Sequence, residues 1–339
     1  MGRGLALYPV ALVSVKLMHS VFKLSLGLLW GLLCGAAFAQ SYPVKPVRVI
    51  VGFTPGGGND VISRLVAHKL SIAYGRQFVV ENRPGAGGMI GAELAAKSPP
   101  DGYTLFLAGV ATHGINPNLQ KNVPYDPIKD FDPICLMATA PTLLAVHPSL
   151  PARSVKQFIA LARARPGEIN FASNGHGSSA QLAAELFKSM TGTRMQHVPY
   201  KGIGLGINDL LSGQVQVIFN AAAALLPHTQ SGRLRALGIG SLQRIAAVRD
   251  IPTIAESGVP GYQAGSWYGF VAPAGTPRVI IDGLSRETAA AIKSPDISSK
   301  LTAEAVLPIA STPEEFAAHI KGELARIGKV IREAGIVME

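Results

Sequence analysis

The chain has 339 residues, 48% of them hydrophobic, and a formal net charge of +10. That length exceeds the span of one ordinary compact core and points to more than one domain, while the apolar content excludes a disordered chain. No basic run accompanies the positive balance, which argues against a nucleic-acid partner.

In chain order, the first feature is FKLSLGLLWGLLCGAAFA, Phe22 to Ala39, with Lys16 and Lys23 before its apolar core and Ala37-Phe38-Ala39 before Gln40. A basic start, an apolar core and an A-x-A end resemble a secretory signal peptide cleaved after Ala39, and so predict export to the periplasm. A retained anchor is the alternative, although the run is short against the roughly 20 residues a bilayer span needs. The start codon is open between Met1 and Met18, because MHSVFKLS alone makes a conventional beginning. Cleavage removes Arg3, Lys16 and Lys23 and no acid, lowering the charge from +10 to +7. It also removes Cys34 and leaves Cys135 alone in an apolar stretch, where a buried inert thiol is expected.

Past residue 40, apolar runs at Val47–Phe53, Phe78–Val80, Leu105–Ala108, Leu143–Val146, Asn170–Ala172 and Val215–Phe219 predict strands. They alternate with helical patterns at Val61–Ala73, Val155–Ala164, Ala180–Met190 and Ile280–Ile292. This is the rhythm of an α/β protein with parallel sheets. From Thr312 the tail reads STPEEF and then sets Phe316, Ile320, Leu324, Ile327 and Ile331 on one face, which predicts a long amphipathic helix docked outside a sheet.

Two stretches share a design. VGFTPGGGNDVISRLVAHKL, from Val51, and INFASNGHGSSAQLAAELFK, from Ile169, each run from a short strand through a glycine-containing turn into an amphipathic helix. Such turns present unpaired backbone N–H groups and the positive end of a helix dipole, which binds an anion without Arg or Lys. Neither has the lysine of a phosphate-binding P-loop. RPGAGGMIGAE, Arg83 to Glu93, approaches a dinucleotide fingerprint with Gly85, Gly87 and Gly91, but close helix–sheet packing explains those glycines as well. There is no G-x-S-x-G, H-E-x-x-H or C-x-x-C, and His68, His113, His147, His176, His197 and His228 are dispersed without ligand spacing. Asp60, Asp101, Asp126, Asp130 and Asp132 stand mostly where Asp caps and turns. A binding protein therefore outranks an enzyme, with no metal and no cofactor expected.

A resemblance extends this reading. YPVKPVRVIVGFTPGGGNDVISRLVAHKL, VVENRPGAGGMIGAELAAKSPPDGYTL, THGINPNL, VPYDPIKDFDPI, NFASNGHGSSAQLAAELF, HVPYKG, LLSGQVQVIF, GRLRALGI, IPTIAESGVPGY, SWYGFVAPAGTP and TPEEFAAHI resemble, in order, the Bug family of periplasmic receptors of tripartite tricarboxylate transporters. The resemblance spans the chain from about residue 42 onward. It implies a two-domain clamshell of the Venus-flytrap type, each domain a sheet flanked by helices, with the chain crossing twice. Domain one would hold 40–142 and 268–339, and domain two 143–267.

What the resemblance further implies is a small carboxylate held between the domains and delivered to membrane permease subunits by a monomer that performs no chemistry. The first element would contribute Phe53, Pro55, Gly56, Gly57, Gly58, Asn59 and Asp60, and the second Ser173, Asn174, Gly175, His176, Gly177, Ser178 and Ser179. Asn59, Ser178 and Ser179 can equally be helix caps, and Asp60 can serve the helix dipole alone. Thr112 and His113 would face the cleft from the end of the strand that begins near Leu105, with a structural role open for His113. Tyr200 and Trp267 would be walls or plain packing. Many members carry Thr at Asn59, Asp-Asn at Asn220-Ala221 and a smaller or amide residue at His176. These departures leave the ligand's identity open and single out Asn220 as a position that reads it. Two other functions stay open: an accessory protein of a sensor kinase, and an exported α/β enzyme.

Overall fold

Residues 1–2, 42–333 and 335–336 are described by the structure, a computed structural model. The expected export segment with its cleavage site after Ala39 lies outside the described residues, as do Cys34, Lys16 and Lys23.

The chain opens with β1 (Val47–Val51), α1 (Gly58–Tyr74), β2 (Phe78–Asn82), α2 (Met89–Ala96) and β3 (Thr104–Gly109), followed by a π-turn at Ala111–Ile115 and α3 (Asn116–Leu119). Strand β4 (Phe131–Val146) leads to α4 (Val155–Ala164), β5 (Asn170–Ser173), α5 (Ser179–Thr191), β6 (Gln196–Pro199), α6 (Ile203–Leu211), β7 (Val217–Ala221), α7 (Ala222–Gln230) and β8 (Arg235–Ile239). The return comprises β9 (Gly265–Pro273), α8 (Arg278–Lys293), α9 (Pro295–Ala303), β10 (Leu307–Pro308) and α10 (Pro313–Glu333).

The strands follow the order β2-β1-β3-β9-β4-β7-β5-β6, with β8 and β10 also against β4. Strands β1, β2 and β3 are parallel to one another, as are β5, β6 and β7, but β9 runs antiparallel to β3, and β4 antiparallel to β9, β7 and β8. The sheets are therefore mixed, which corrects the expectation of parallel sheets: the two strands shared between the halves run against the βαβ units on either side. Strand β4 reaches 16 residues because it serves both halves, pairing with β9 as far as Pro141↔Gly265 and with β7 from Thr142↔Ala221 onward. Its first half was hidden in the sequence by Pro133 and Pro141, residues that normally demote a run from strand to loop.

The crossing is tight. Thr142 N–H donates to the Ala264 carbonyl at 3.0 Å, Ala264 N–H to Gly240 at 2.9 Å, and Gly240 N–H to Thr142 at 2.7 Å. A Cβ on Gly265 would lie 2.7 Å from the Ala140 carbonyl oxygen, so only glycine lets the strands approach this closely.

Separate cores lie to either side. One gathers Ile50, Phe106, Phe131, Trp267, Phe316 and Ile327, with α10 laid across the sheet through Phe316, Ile320, Ile327 and Ile331. Leu324, expected on the same face, is only half-buried. The other side has Phe158, Phe171, Phe187, Phe219 and Tyr262 on one sheet face, and Ile207, Leu210, Ile218 and Leu225 on the opposite one. Each fully buried Leu, Ile or Phe contributes about 1.5–3 kcal/mol, so these layers supply the rigidity on which the loops depend. Cys135 is fully buried on β4, and burial pushes its thiol up to about 12, far from a reactive thiolate.

Candidate ligand site between two helix N-termini

The first glycine turn joins β1 to α1. Gly57 takes the cap position with extended backbone and no side-chain cap, and Pro55, Gly56, Gly57 and Gly58 are exposed. Among the described residues, the N–H groups of Gly58, Asn59 and Asp60 have no hydrogen-bond acceptor, whereas Val61 N–H donates to the Gly57 carbonyl at 3.0 Å. Donors left unpaired at a helix start, at the positive end of its dipole, favour an anion.

Asp60 supports this turn from below. Its Oδ2 accepts from Gly56 N–H at 3.0 Å, and Arg64 Nε donates to both oxygens at 3.0 Å. Asn82 Nδ2 donates to Oδ1 at 2.9 Å and to the Phe53 carbonyl at 3.0 Å. Burial pushes the carboxyl pKa up, but the Arg64, Gly56 and Asn82 hydrogen bonds outweigh it and hold the group below its ordinary value. The carboxylate is thus engaged in holding the loop to α1 and β2.

Behind the turn, the Arg83–Glu93 loop packs backbone on backbone. A Cβ on Gly52 would lie 2.8 Å from Gly88 Cα, and one on Gly91 would lie 3.0 Å from Gly52 Cα. One on Gly88 would lie 2.8 Å from the Thr112 methyl and 3.2 Å from the Phe53 ring, which places Phe53 and Thr112 side by side against this loop.

The second turn joins β5 to α5 and is capped by side chains. Ser178 Oγ, at the N-cap, accepts from Gln181 N–H at 3.2 Å, and Gln181 Oε1 reaches back to accept from Gly177 N–H, one residue before the cap, at 2.8 Å. Gly175 and Gly177 adopt φ of 106° and 70°, the region that favours glycine. Ser173 Oγ accepts from Gly175 N–H at 3.1 Å and lies 2.6 Å from His197 Nε2. His197 stacks on Phe171, with His176 edge-on to it at 5.1 Å. Burial, then His176 and Lys188, push the His197 pKa down to about 4, so the ring is neutral beside Ser173, whose Oγ also reaches the Gly175 carbonyl at 3.1 Å. Asn174 and His176 are exposed in the turn.

Strand β9 brings the two elements together. Ser266 and Tyr268 alternate onto one of its faces. Ser266 Oγ lies 3.2 Å from Ser179 Oγ in the first turn of α5. The Tyr268 hydroxyl lies 2.8 Å from where a Cβ on Gly58 would be, at the first turn of α1. Asn59 joins the same place, its Oδ1 3.9 Å from the Cβ position of Gly109. Both helix starts therefore converge on one face of a single strand. Ser178 and Ser179 accept hydrogen bonds there and keep a hydroxyl proton each to donate. Ser266, Tyr268 and Asn82 escaped the sequence reading; the Ser-x-Tyr alternation within SWYGF was the signal that could have found the first two.

The remaining candidates are spread around this point. His113 is wholly buried between Phe131 and Trp267, at ring separations of 5.0 and 6.3 Å, with Nδ1 3.0 Å from Thr112 Oγ1, and burial pushes its pKa down to about 3. Trp267 faces that core, on the side of β9 opposite Ser266. Tyr200 N–H donates to the Ser173 carbonyl at 3.0 Å, while its hydroxyl donates to Asp209 at 2.7 Å. Asn220 is the penultimate residue of β7, level with the second turn in the parallel register Phe171↔Val217 and Ala172↔Ile218. A surface cleft of about 490 Å³ lined by Leu226, Arg235, Val248 and Asp250 contains no residue of either turn. Among the described residues there is no cluster of His, Cys, Asp and Glu able to hold a metal, and no helix long and apolar enough to cross a membrane.

Residues 62–336 match the family described as tripartite tricarboxylate transporter family receptor. The chain is 39% identical to Protein BugT of Bordetella pertussis over 298 residues, covering 88% of this chain and 91% of that protein. It superposes on Rpa4515 of R. palustris with adipate at a TM-score of 0.81 and 38% identity, covering 87% of this chain and 99% of that one. MatC from Rhodopseudomonas palustris with bound malate matches at a TM-score of 0.77 and 31% identity, covering 86% of this chain and 100% of that one.

Proposed function

Because the chain belongs to the tripartite tricarboxylate transporter family receptors, we propose that it captures a small carboxylate between its two sheet halves and delivers it to membrane permease subunits. The observation that carries this reading is the convergence of the α1 and α5 starts on the Ser266 and Tyr268 face of β9. One carboxylate group would take the unpaired N–H groups at Gly58 and Asn59 together with the Ser178 and Ser179 hydroxyls, exchanging its hydration for fixed donors. The domains would be 40–142 with 268–339 and 143–267, closing about the crossing where β4 changes partners after Pro141. The protein would act as an exported monomer, with its leader cleaved after Ala39, and would release its ligand unchanged.

Support for a binding role without catalysis comes from the state of the polar side chains: Asp60, Ser173 and His197 are engaged in holding the turns. A thermal-shift screen over carboxylates tests the reading, since a ligand at about 100 times its Kd adds roughly 2.7 kcal/mol of stability. Gly57→Val is the matched control. A Cβ there meets only the Thr54 carbonyl oxygen, at 4.0 Å, so the fold should persist while the side chain bars the approach to the α1 start. The expected result is loss of the ligand-induced shift with an unchanged circular-dichroism spectrum; an unchanged ligand response would show that the turn is only structural.

A further inference from the structure

The cleft of about 490 Å³ that shares no residue with either turn has the make-up of a second site. Its volume lies within the range of about 300–1,000 Å³ usual for small-molecule pockets. Leu226, Leu234 and Val248 line it from buried positions and give it an apolar floor.

The cleft opens at the edge of the second sheet half. Strand β8 pairs with β4 on one side only. On the other side it meets chain at Ile239, whose N–H donates to the Pro252 carbonyl at 2.9 Å and whose carbonyl accepts from Ile254 N–H at 2.9 Å. Before that point the two stretches part, and residues 234–236 of β8 and 247–251 line the cleft between them. Over 235–238 the backbone groups that point away from β4 therefore meet no second strand among the described residues. An open edge recognises an extended main chain. Three residues of β8 line the cleft, about 10 Å of strand at about 3.3 Å per residue, which matches two or three extended residues and is short for the addition of a longer strand.

Charges of both signs stand in the same cleft. Arg235 Nη1 donates to the Leu150 and Ala152 carbonyls at 3.2 and 3.1 Å, which fixes the guanidinium and leaves Nε and Nη2 without a partner among the described residues. Asp250 is exposed, and its carboxylate pairs neither with Arg235 nor with any other described side chain. A cation and an anion that share a small cleft without meeting suit a ligand that carries both, a carboxylate for the free side of the Arg235 fork and an ammonium for Asp250.

We propose that this cleft binds a short peptide with free termini, two or three residues long and extended along β8, its carboxylate on Arg235, its ammonium on Asp250 and an apolar side chain over Leu226, Leu234 and Val248.

Calorimetric titration with leucyl-leucine, N-acetyl-leucyl-leucine and leucyl-leucinamide tests it. The unmodified protein and Gly57→Val should bind leucyl-leucine alike, because the cleft is separate from the turns, and saturation should slow hydrogen exchange of the amides of 235–238. Blocking either terminus should weaken binding roughly tenfold, the loss of one charge-assisted bond. Asp250→Asn, which breaks no contact of the fold, should abolish the penalty for acetylation and keep the penalty for the amide; Arg235→Gln should do the reverse. Equal affinities for the three peptides, no heat with any of them at millimolar concentration, or penalties unchanged in Asp250→Asn would overturn the proposal. Loss of leucyl-leucine binding in Gly57→Val would also overturn it, since the peptide carboxylate would then be occupying the turns.

Discussion

The two strand–turn–helix elements solve one problem in opposite ways. At the second, the α5 start is closed by its own side chains, Ser178 with Gln181, and the turn is tied down by Ser173 and His197. At the first, the α1 start has no side-chain cap, and its order comes from outside, through Asp60, Arg64 and Asn82. The difference teaches that an anion site needs both rigidity and vacancy. One turn keeps its backbone donors vacant and borrows its rigidity, while the other uses up part of its donors and presents hydroxyls in their place.

Asp60→Ala should break this contrast most severely. It leaves Arg64 and Asn82 without their shared acceptor and frees Gly56, so urea unfolding should show a loss of about 2–3 kcal/mol; that figure allows for the half-exposed Arg64. A loss below about 0.5 kcal/mol would mean the first turn holds its shape unaided. Ser178→Ala removes only one cap and should cost about 1 kcal/mol by the same measurement, with α5 still formed.

Acid should separate the two turns with the smallest effect on the whole. The His197 pKa is depressed, so the folded protein binds fewer protons than the unfolded chain between about 6.5 and about 4, and stability falls as pH is lowered through that window. Asp60 is depressed from 3.8, so its contribution persists through that window and is lost only below it. Hydrogen exchange at pH 7 and pH 5, corrected for intrinsic rates, should therefore show the bonded Gly175 and Gly177 amides loosening while the Gly56 amide, held by Asp60, stays protected. Parallel loosening of both turns would contradict the separate supports described here.

Sequence alone determined the local elements. Helix α4 is found at the predicted Val155–Ala164, and β1, α1, β5 and α5 bracket the two turns within a few residues of expectation, because strand and helix periodicity and capping residues act over a single turn of chain. The glycines and serines of both turns were legible for the same reason, being required by backbone conformation and capping where they stand. Only the tertiary structure decided what those turns face. The long β4, with prolines at both ends of its first half, could be recognised as a strand only once β9 was beside it. Asp60 is assigned to support by Asn82, which lies 22 residues away, and the pairing of Ser266 with Ser179 spans 87. Asn220 carries no periodic signal at all; its unpaired amide exists because β5 and β4 bury it at a strand end, and that enclosure is a property of the sheet and not of the segment.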